Sequence, residues 1–262
     1  MAGIKIKKLK FSYDNINVFS NLNFILRKGQ SLSIIGPSGS GKTTLLKLFN
    51  GDLNYEGELS INSIPVCEDN FDKLKNNISV IFRDSNFLCQ TGKEELSYIL
   101  EQNNISSKEI KNRIDEIDKY FNIKKILNKN ISDLCTNDQY LIKILSYAII
   151  YPTYLAIDDL FLYLNNRTEI LLLNYLNSNN ITLINVTSDM EDVLYTDYIL
   201  CLYDGISAID GKTLDVLSNE KILKRLGFSL PFMVDLSIQL QAYDLISKMY
   251  LNKEVMVKNL WK

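Results

Sequence analysis

The spacing of apolar residues changes several times along the chain, and each change marks an element. Residues 3–13 alternate loosely through Ile4, Ile6, Leu9, Phe11 and Tyr13, as an edge strand does. Residues 18–26 predict a second strand, 31–35 a short buried one, and 58–61 another. The run 78–82 is almost continuously apolar, which fits a strand covered on both faces. Over 91–150 the pattern turns helical, with helices predicted at 94–102, 107–120 and 138–150. Ser106-Ser107 ahead of Glu109 and Ile110 supplies one helix start. Residues 154–159 return to buried strand. A helix over 168–177 and strands over 181–186, 198–202 and 206–209 come next. Beyond about residue 218 the chain is helical again. From 232 to 250 apolar residues are dense (Met233, Val234, Leu236, Ile238, Leu240, Leu245, Met249). Packing onto the main domain accounts for that density, with a partner surface as the second reading. Strands alternating with helices predict an α/β protein with a mostly parallel sheet and an inserted helical block.

Between the strand at 31–35 and a helix beginning at Lys42 lies Gly36-Pro37-Ser38-Gly39-Ser40-Gly41-Lys42-Thr43-Thr44. It matches G-x-x-x-x-G-K-[ST] at every fixed position. Glycines let backbone wrap closely around phosphate oxygens, and N–H groups at the helix start point at the anion. Lys42 reaches toward the β- and γ-phosphates, and the Thr43 hydroxyl is a Mg²⁺ ligand. Leu45, Leu46 and Phe49 form the apolar side of the helix. A chance Gly/Ser turn would not bring strand, loop and helix together, so the stretch predicts a bound nucleotide. Asp158-Asp159 closes a later apolar strand. Asp158 suits a metal ligand, and Asp159 is placed to polarise an attacking water. The bland alternative is a loop carboxylate pair capping the next element. An aspartate at 159 also reaches about one C–C bond less than a glutamate, in chemistry sensitive to errors of about 1 Å.

Composition narrows the field. A formal charge of −2 on 262 residues gives no support for nucleic-acid binding. No run of about 18 apolar residues predicts a membrane span, and the N-terminus lacks the apolar core of a signal peptide. Cys67, Cys89, Cys135 and Cys201 are scattered without a C-x-x-C pair, so neither zinc nor a disulfide framework is expected, and a reducing cytosol is the simplest home. The sequence contains no histidine, which excludes any mechanism in which this chain alone must supply an imidazole.

Phosphate loop, helical insert, apolar strand ending in two acids, and a later strand running into Asn185-Val186-Thr187-Ser188-Asp189 together resemble an ABC-transporter ATPase subunit. The likeness is greatest to the energy-coupling-factor branch, through the segment from Glu94 to Asn103 and through Leu226-Gly227-Phe228-Ser229-Leu230-Pro231. The resemblance implies a RecA-like P-loop NTPase fold with an antiparallel β edge. It divides the chain into a nucleotide-binding domain over 1–225, with a helical subdomain at about 88–150, and a helical extension over 226–262. It also implies ATP with Mg²⁺, and Tyr13 stacked on the adenine. Several family motifs are replaced. The Q-loop glutamine falls on Arg83, and the L-S-G-G-Q signature on Leu134-Cys135-Thr136-Asn137-Asp138. The catalytic glutamate falls on Asp159, the D-loop aspartate on Asn165, and the switch histidine on Ser188.

By function, the resemblance implies an ATP-binding subunit of a small-solute importer, for a vitamin or a metal. Such a subunit would sit at the cytoplasmic face of the cell membrane as the degenerate half of a heterodimer. Its partners would be an intact homologous ATPase subunit, a transmembrane T-component and a substrate-binding membrane subunit. The replaced motifs put hydrolysis by this chain itself in question. The alternative is a catalytically silent nucleotide-binding assembly or regulatory protein of the same class. A soluble phosphotransferase would need an acceptor pocket, and no stretch supplies one.

Overall fold

A computed structural model describes residues 2–260 of the chain; Met1, Trp261 and Lys262, at the outer ends of the two expected units, lie outside the described residues. The first two strands, β1 (Ala2–Tyr13) and β2 (Ile16–Arg27), form a hairpin paired from Tyr13↔Ile16 to Ala2↔Arg27, with register shifts between. Asp14 turns the chain at φ 45, a left-handed conformation that aspartate tolerates better than most residues. After the hairpin come β3 (Leu32–Ile35), α1 (Lys42–Asn50), β4 (Glu56–Ile61), β5 (Ile64–Pro65), α2 (Phe71–Lys75) and β6 (Ile78–Ile81). The helical block is α3 (Gly92–Gln102), α4 (Ser107–Phe121), α5 (Lys124–Leu127) and α6 (Thr136–Ala148). Then come β7 (Tyr154–Asp158), α7 (Asn166–Ser178), β8 (Thr182–Val186), β9 (Tyr198–Tyr203) and β10 (Ile206–Lys212). The chain ends in α8 (Thr213–Leu217), α9 (Glu220–Arg225), α10 (Phe232–Ala242) and α11 (Lys253–Leu260).

The strands build two sheets, a four-stranded one in the order β2-β1-β4-β5 and a six-stranded one in the order β10-β9-β3-β8-β7-β6. In the second, β9, β3, β8, β7 and β6 run parallel and only β10 is antiparallel. Every residue of β3, β6 and β7 is buried, as helices covering both faces of a parallel sheet require. This is the expected α/β fold with its antiparallel edge. One expectation fails: β1 is not an edge strand, because it pairs with β2 on one side and β4 on the other. Its alternation reflects one wet face. Lys5 and Lys10 on that face meet Glu58 and Glu56 of β4 at 2.7 and 3.7 Å, while Ile4, Ile6 and Leu9 are fully buried.

The block α3 to α6 starts where capping chemistry lets it. Thr91 and Glu94 form a reciprocal capping box at α3, and Ser106 caps α4. Ile110, Ile114, Ile117 and Phe121 make the buried stripe of α4. That stripe joins Leu96, Ile142 and Leu145 and is continuous with Leu155 and Ile157 of β7. The helical block therefore shares its core with the sheet. At the C-terminus the helical run expected over 232–250 is cut short. α10 stops at Ala242, and Asp244 takes φ 56 in the turns beyond it. The apolar density serves two packing faces: Val234 goes in with Ile199, Cys201 and Val216, while Met233 meets Tyr250 and Met256. The Ser237 hydroxyl pins the return by accepting from Tyr250 N and donating to Tyr250 O.

Candidate functional site

The parallel strands all deliver their C-terminal ends to one edge, and the phosphate loop leaves β3 there. Two of its glycines are obligatory for physical reasons. A Cβ on Gly36 would stand 2.6 Å from the Leu202 carbonyl oxygen, and Gly41 takes φ 95 where a Cβ would stand 2.8 Å from the Phe19 and Val18 side chains. The Lys42 ammonium folds across its own loop, donating to Gly36 O at 2.6 Å and Pro37 O at 3.2 Å. Burial pushes its pKa down from the usual lysine value, and neighbouring Asp159 and Asp158 push back up. The Ser40 hydroxyl is buried with no partner among the described residues, an orphan that a phosphate oxygen would satisfy.

Asp158 ends β7 directly opposite, and the Thr43 hydroxyl donates to its Oδ2 at 2.8 Å. Burial raises the Asp158 carboxyl above its ordinary value, the Thr43 bond draws it back down, and the adjacent Asp159 raises it again. A hydroxyl and a carboxylate in contact are the hard oxygens that Mg²⁺ takes from a protein, with phosphates and water completing its shell. Among the described residues no three His, Cys, Asp or Glu groups close on one point, so the protein offers a half-shell that suits a metal–nucleotide pair.

Asp159 departs from the strand at φ 58. Its amide stays in the sheet through a 2.8 Å bond to Val186 O, and its carboxylate turns to Ser188. Ser188 N donates to Oδ1 at 3.2 Å, and Ser188 Oγ reaches Oδ1 at 3.1 Å and Oδ2 at 3.2 Å. A left-handed aspartate is a strained residue held by its surroundings.

A cavity of about 830 Å³ joins these parts. Tyr13, Ser38, Gly39, Ser40, Gly41, Lys42, Thr43, Thr44, Arg83, Asp158 and Asp159 all line it. Tyr13 stands edge-on against Phe11 at 4.7 Å, which leaves a ring face for a base. Gly36 and Pro37 contribute carbonyls behind the loop. Other expected positions lie elsewhere. Ser188 touches the cavity only through Asp159 and lines a separate hollow of about 450 Å³ with Leu162, Asp189 and Phe228. Leu134 to Asp138 run into the first turn of α6, outside the cavity lining. There Asn137 Oδ1 accepts from Asn165 N and Nδ2, both at 2.9 Å, tying two replaced positions to each other.

Val18, Lys47, Phe82, Asp84, Ser85 and Val186 complete the lining, and sequence reasoning assigned them no role. Lys47 was findable, being one helical turn from Thr43. A stack behind the site was not: Arg83 lies 5.4 Å over the Tyr163 ring, Tyr163 stacks flat on Tyr140 at 4.0 Å, and Lys143 lies beyond at 5.0 Å.

Residues 19–161 match the family described as ABC transporter. The chain belongs to that family. ABC proteins of this kind bind ATP, generally with Mg²⁺, and the cavity has the parts for both. The chain is similar to the energy-coupling factor transporter ATP-binding protein EcfA of Malacoplasma penetrans, 27% identical over 266 residues, covering 98% of this chain and 93% of that one. It is similar also to EcfA1 of Staphylococcus aureus strain USA300, 26% identical over 243 residues, covering 89% and 90%. The expected likeness to ABC ATP-binding subunits of the energy-coupling-factor branch is thereby borne out. Among solved structures, cbiO1 from Clostridium perfringens, part of the ABC transporter complex cbiONQ, superposes with a TM-score of 0.75 at 22% identity, covering 88% of this chain and 96% of that one. A bacterial ABC transporter cassette solved as a dimer gives 0.71 at 24%, covering 80% and 98%. At these identities the structural likeness is one of fold. Among the described residues no helix of this ABC protein is long and apolar enough to cross a membrane.

Proposed function

We propose that this chain is the ATP-binding subunit of an energy-coupling-factor-type importer that takes up a small solute, a vitamin or a metal, and that it is the degenerate half of a heterodimer. The observation that carries the reading is an intact phosphate loop, with Thr43 and Asp158 in contact across it, beside a signature segment bonded to its own chain through Asn137 and Asn165. Residues 1–225 form the nucleotide-binding domain, 88–150 its helical subdomain and 226–262 the extension.

In the bound state Gly36 to Thr44 wrap the phosphates, Lys42 exchanges its carbonyl partners for phosphate oxygens, and Tyr13 stacks on the base. Thr43 and Asp158 hold Mg²⁺, which neutralises phosphate charge. Asp159 orients water weakly, because its carboxylate is already shared with Ser188. The resemblance places each nucleotide between one chain's phosphate loop and the other's signature. The nucleotide on this chain therefore meets an intact signature but lacks the glutamate and the histidine. Hydrolysis then falls mainly on the partner's phosphate loop, and this chain holds ATP as a clamp at the cytoplasmic face of the membrane. The partners are the intact homologous ATPase, the transmembrane T-component and the substrate-binding subunit.

The test is nucleotide binding and turnover of the purified chain beside Lys42→Ala. The expected outcome is binding that Lys42→Ala abolishes, with turnover no higher than the variant's. Turnover clearly above Lys42→Ala would mean Asp159 and Ser188 suffice, and the clamp reading would fall. The replaced positions also favour a second reading, a nucleotide-binding assembly protein that never drives transport. Failure to co-purify with an intact ATPase paralogue and a T-component would favour it.

A further inference from the structure

Strands β6 and β7 are neighbours, with Ile81 opposite Ile157. Adjacent strands lie about 4.8 Å apart, so Arg83, two residues past Ile81, leaves the sheet beside Asp159, two residues past Ile157. Arg83 lines the same cavity as Lys42, Thr43 and Asp158. It forms no ion pair among the described residues. Its guanidinium rests over the Tyr163 ring, and that ring is held flat by Tyr140 on its own stack. Cation–π contact by an exposed arginine is a weak hold. Paired, charge-assisted bonds from a guanidinium to phosphate oxygens are much stronger. The resting place is thus a ledge from which the charge is readily drawn into the cavity.

Asp84, Asp158 and Asp159 line the cavity too, and all three repel a metal-free triphosphate. A cation must offset them. Lys42 and Lys47 line the cavity as well, but Lys42 is half committed to its own loop, and burial disfavours its charge. Arginine stays charged at any pH the protein survives and carries five donors. We propose that Arg83 is a phosphate-binding residue of this site, and that its fixed charge lets the chain hold ATP without a divalent metal ion. The proposal rests on the nucleotide-binding reading above and deepens it.

The experiment titrates a ribose-labelled fluorescent ATP into the full chain, once with Mg²⁺ and once with EDTA. It compares wild type with Arg83→Gln, Arg83→Lys and Lys42→Ala, with thermal melts to establish that each variant is folded. The wild type should bind no more than about threefold weaker in EDTA. Arg83→Gln should weaken binding about tenfold or more in EDTA, the loss of a charge-assisted bond, and stay within about threefold of wild type in Mg²⁺. Arg83→Lys should recover part of the EDTA binding. A wild type that needs Mg²⁺, or an Arg83→Gln variant equal to wild type in EDTA, overturns the proposal while leaving nucleotide binding intact. No binding in either condition, or Lys42→Ala binding like wild type, overturns the nucleotide-binding reading and this proposal with it.

Discussion

Two helices in this protein begin at positions that the resemblance assigns to nucleotide, and they are built differently. α1 begins from a loop built of backbone, in which Gly36 and Gly41 have no room for a Cβ. α6 begins from Cys135-Thr136-Asn137, where Asn137 bonds to Asn165 of the same chain. A site made of backbone is kept whole or lost, because one added carbon closes it. A site whose work lies between chains can have its residues put to internal use. The intact loop and the internally bonded helix start are what the proposed binding-only subunit needs.

The comparison breaks first at α1. Gly41→Val puts a branched side chain into a left-handed position packed on Phe19; nucleotide binding should be lost below detection in the same titration, with the melting temperature falling as well. Next is α6. Asn137→Ala removes both bonds to Asn165 and should cost about 1 kcal/mol of stability in urea unfolding, leaving the isolated chain's ATP affinity within error of wild type. An affinity change at this site would mean that the two helix starts are coupled. The smallest effect sharpens the contrast. Burial raises the Asp158 carboxyl above its unfolded value, so its charge opposes folding once pH exceeds that value. Asp158→Asn should therefore raise the melting temperature slightly at pH 7.5, with the gain shrinking toward pH 4. Placed in the Arg83→Gln background, where Mg²⁺ should matter most, the same change should lose the Mg²⁺ enhancement of binding.

Most of the fold was legible because the strands of its parallel sheet are covered on both faces and several helices carry their own start signals. The run 78–82 is nearly pure apolar, residues 154–157 are wholly so, and Ser106 announces α4 in the sequence itself. The phosphate loop was legible because its fixed residues are contiguous. What stayed hidden depends on partners distant in sequence. Nothing in residues 2–13 reveals that β4 will pair with the far side of β1. Nothing in residues 232–250 reveals that the helix must stop so that Tyr250 can return to Ser237. Arg83 is visible as a replaced position, but its ledge on Tyr163 and Tyr140 needs three separate segments to meet. The Asp159–Ser188 contact was half legible: both residues were singled out, while the strained backbone that turns one toward the other was not.

Lys42 carries a last consequence. Its ammonium already has two partners in the loop it serves, so an incoming phosphate exchanges those bonds for its own. Measured affinity is then the difference between two nearly balanced sets of contacts. A modest dissociation constant would be compatible with a tightly held phosphate, and the heat released on binding would be a poor guide to how many bonds the bound state contains.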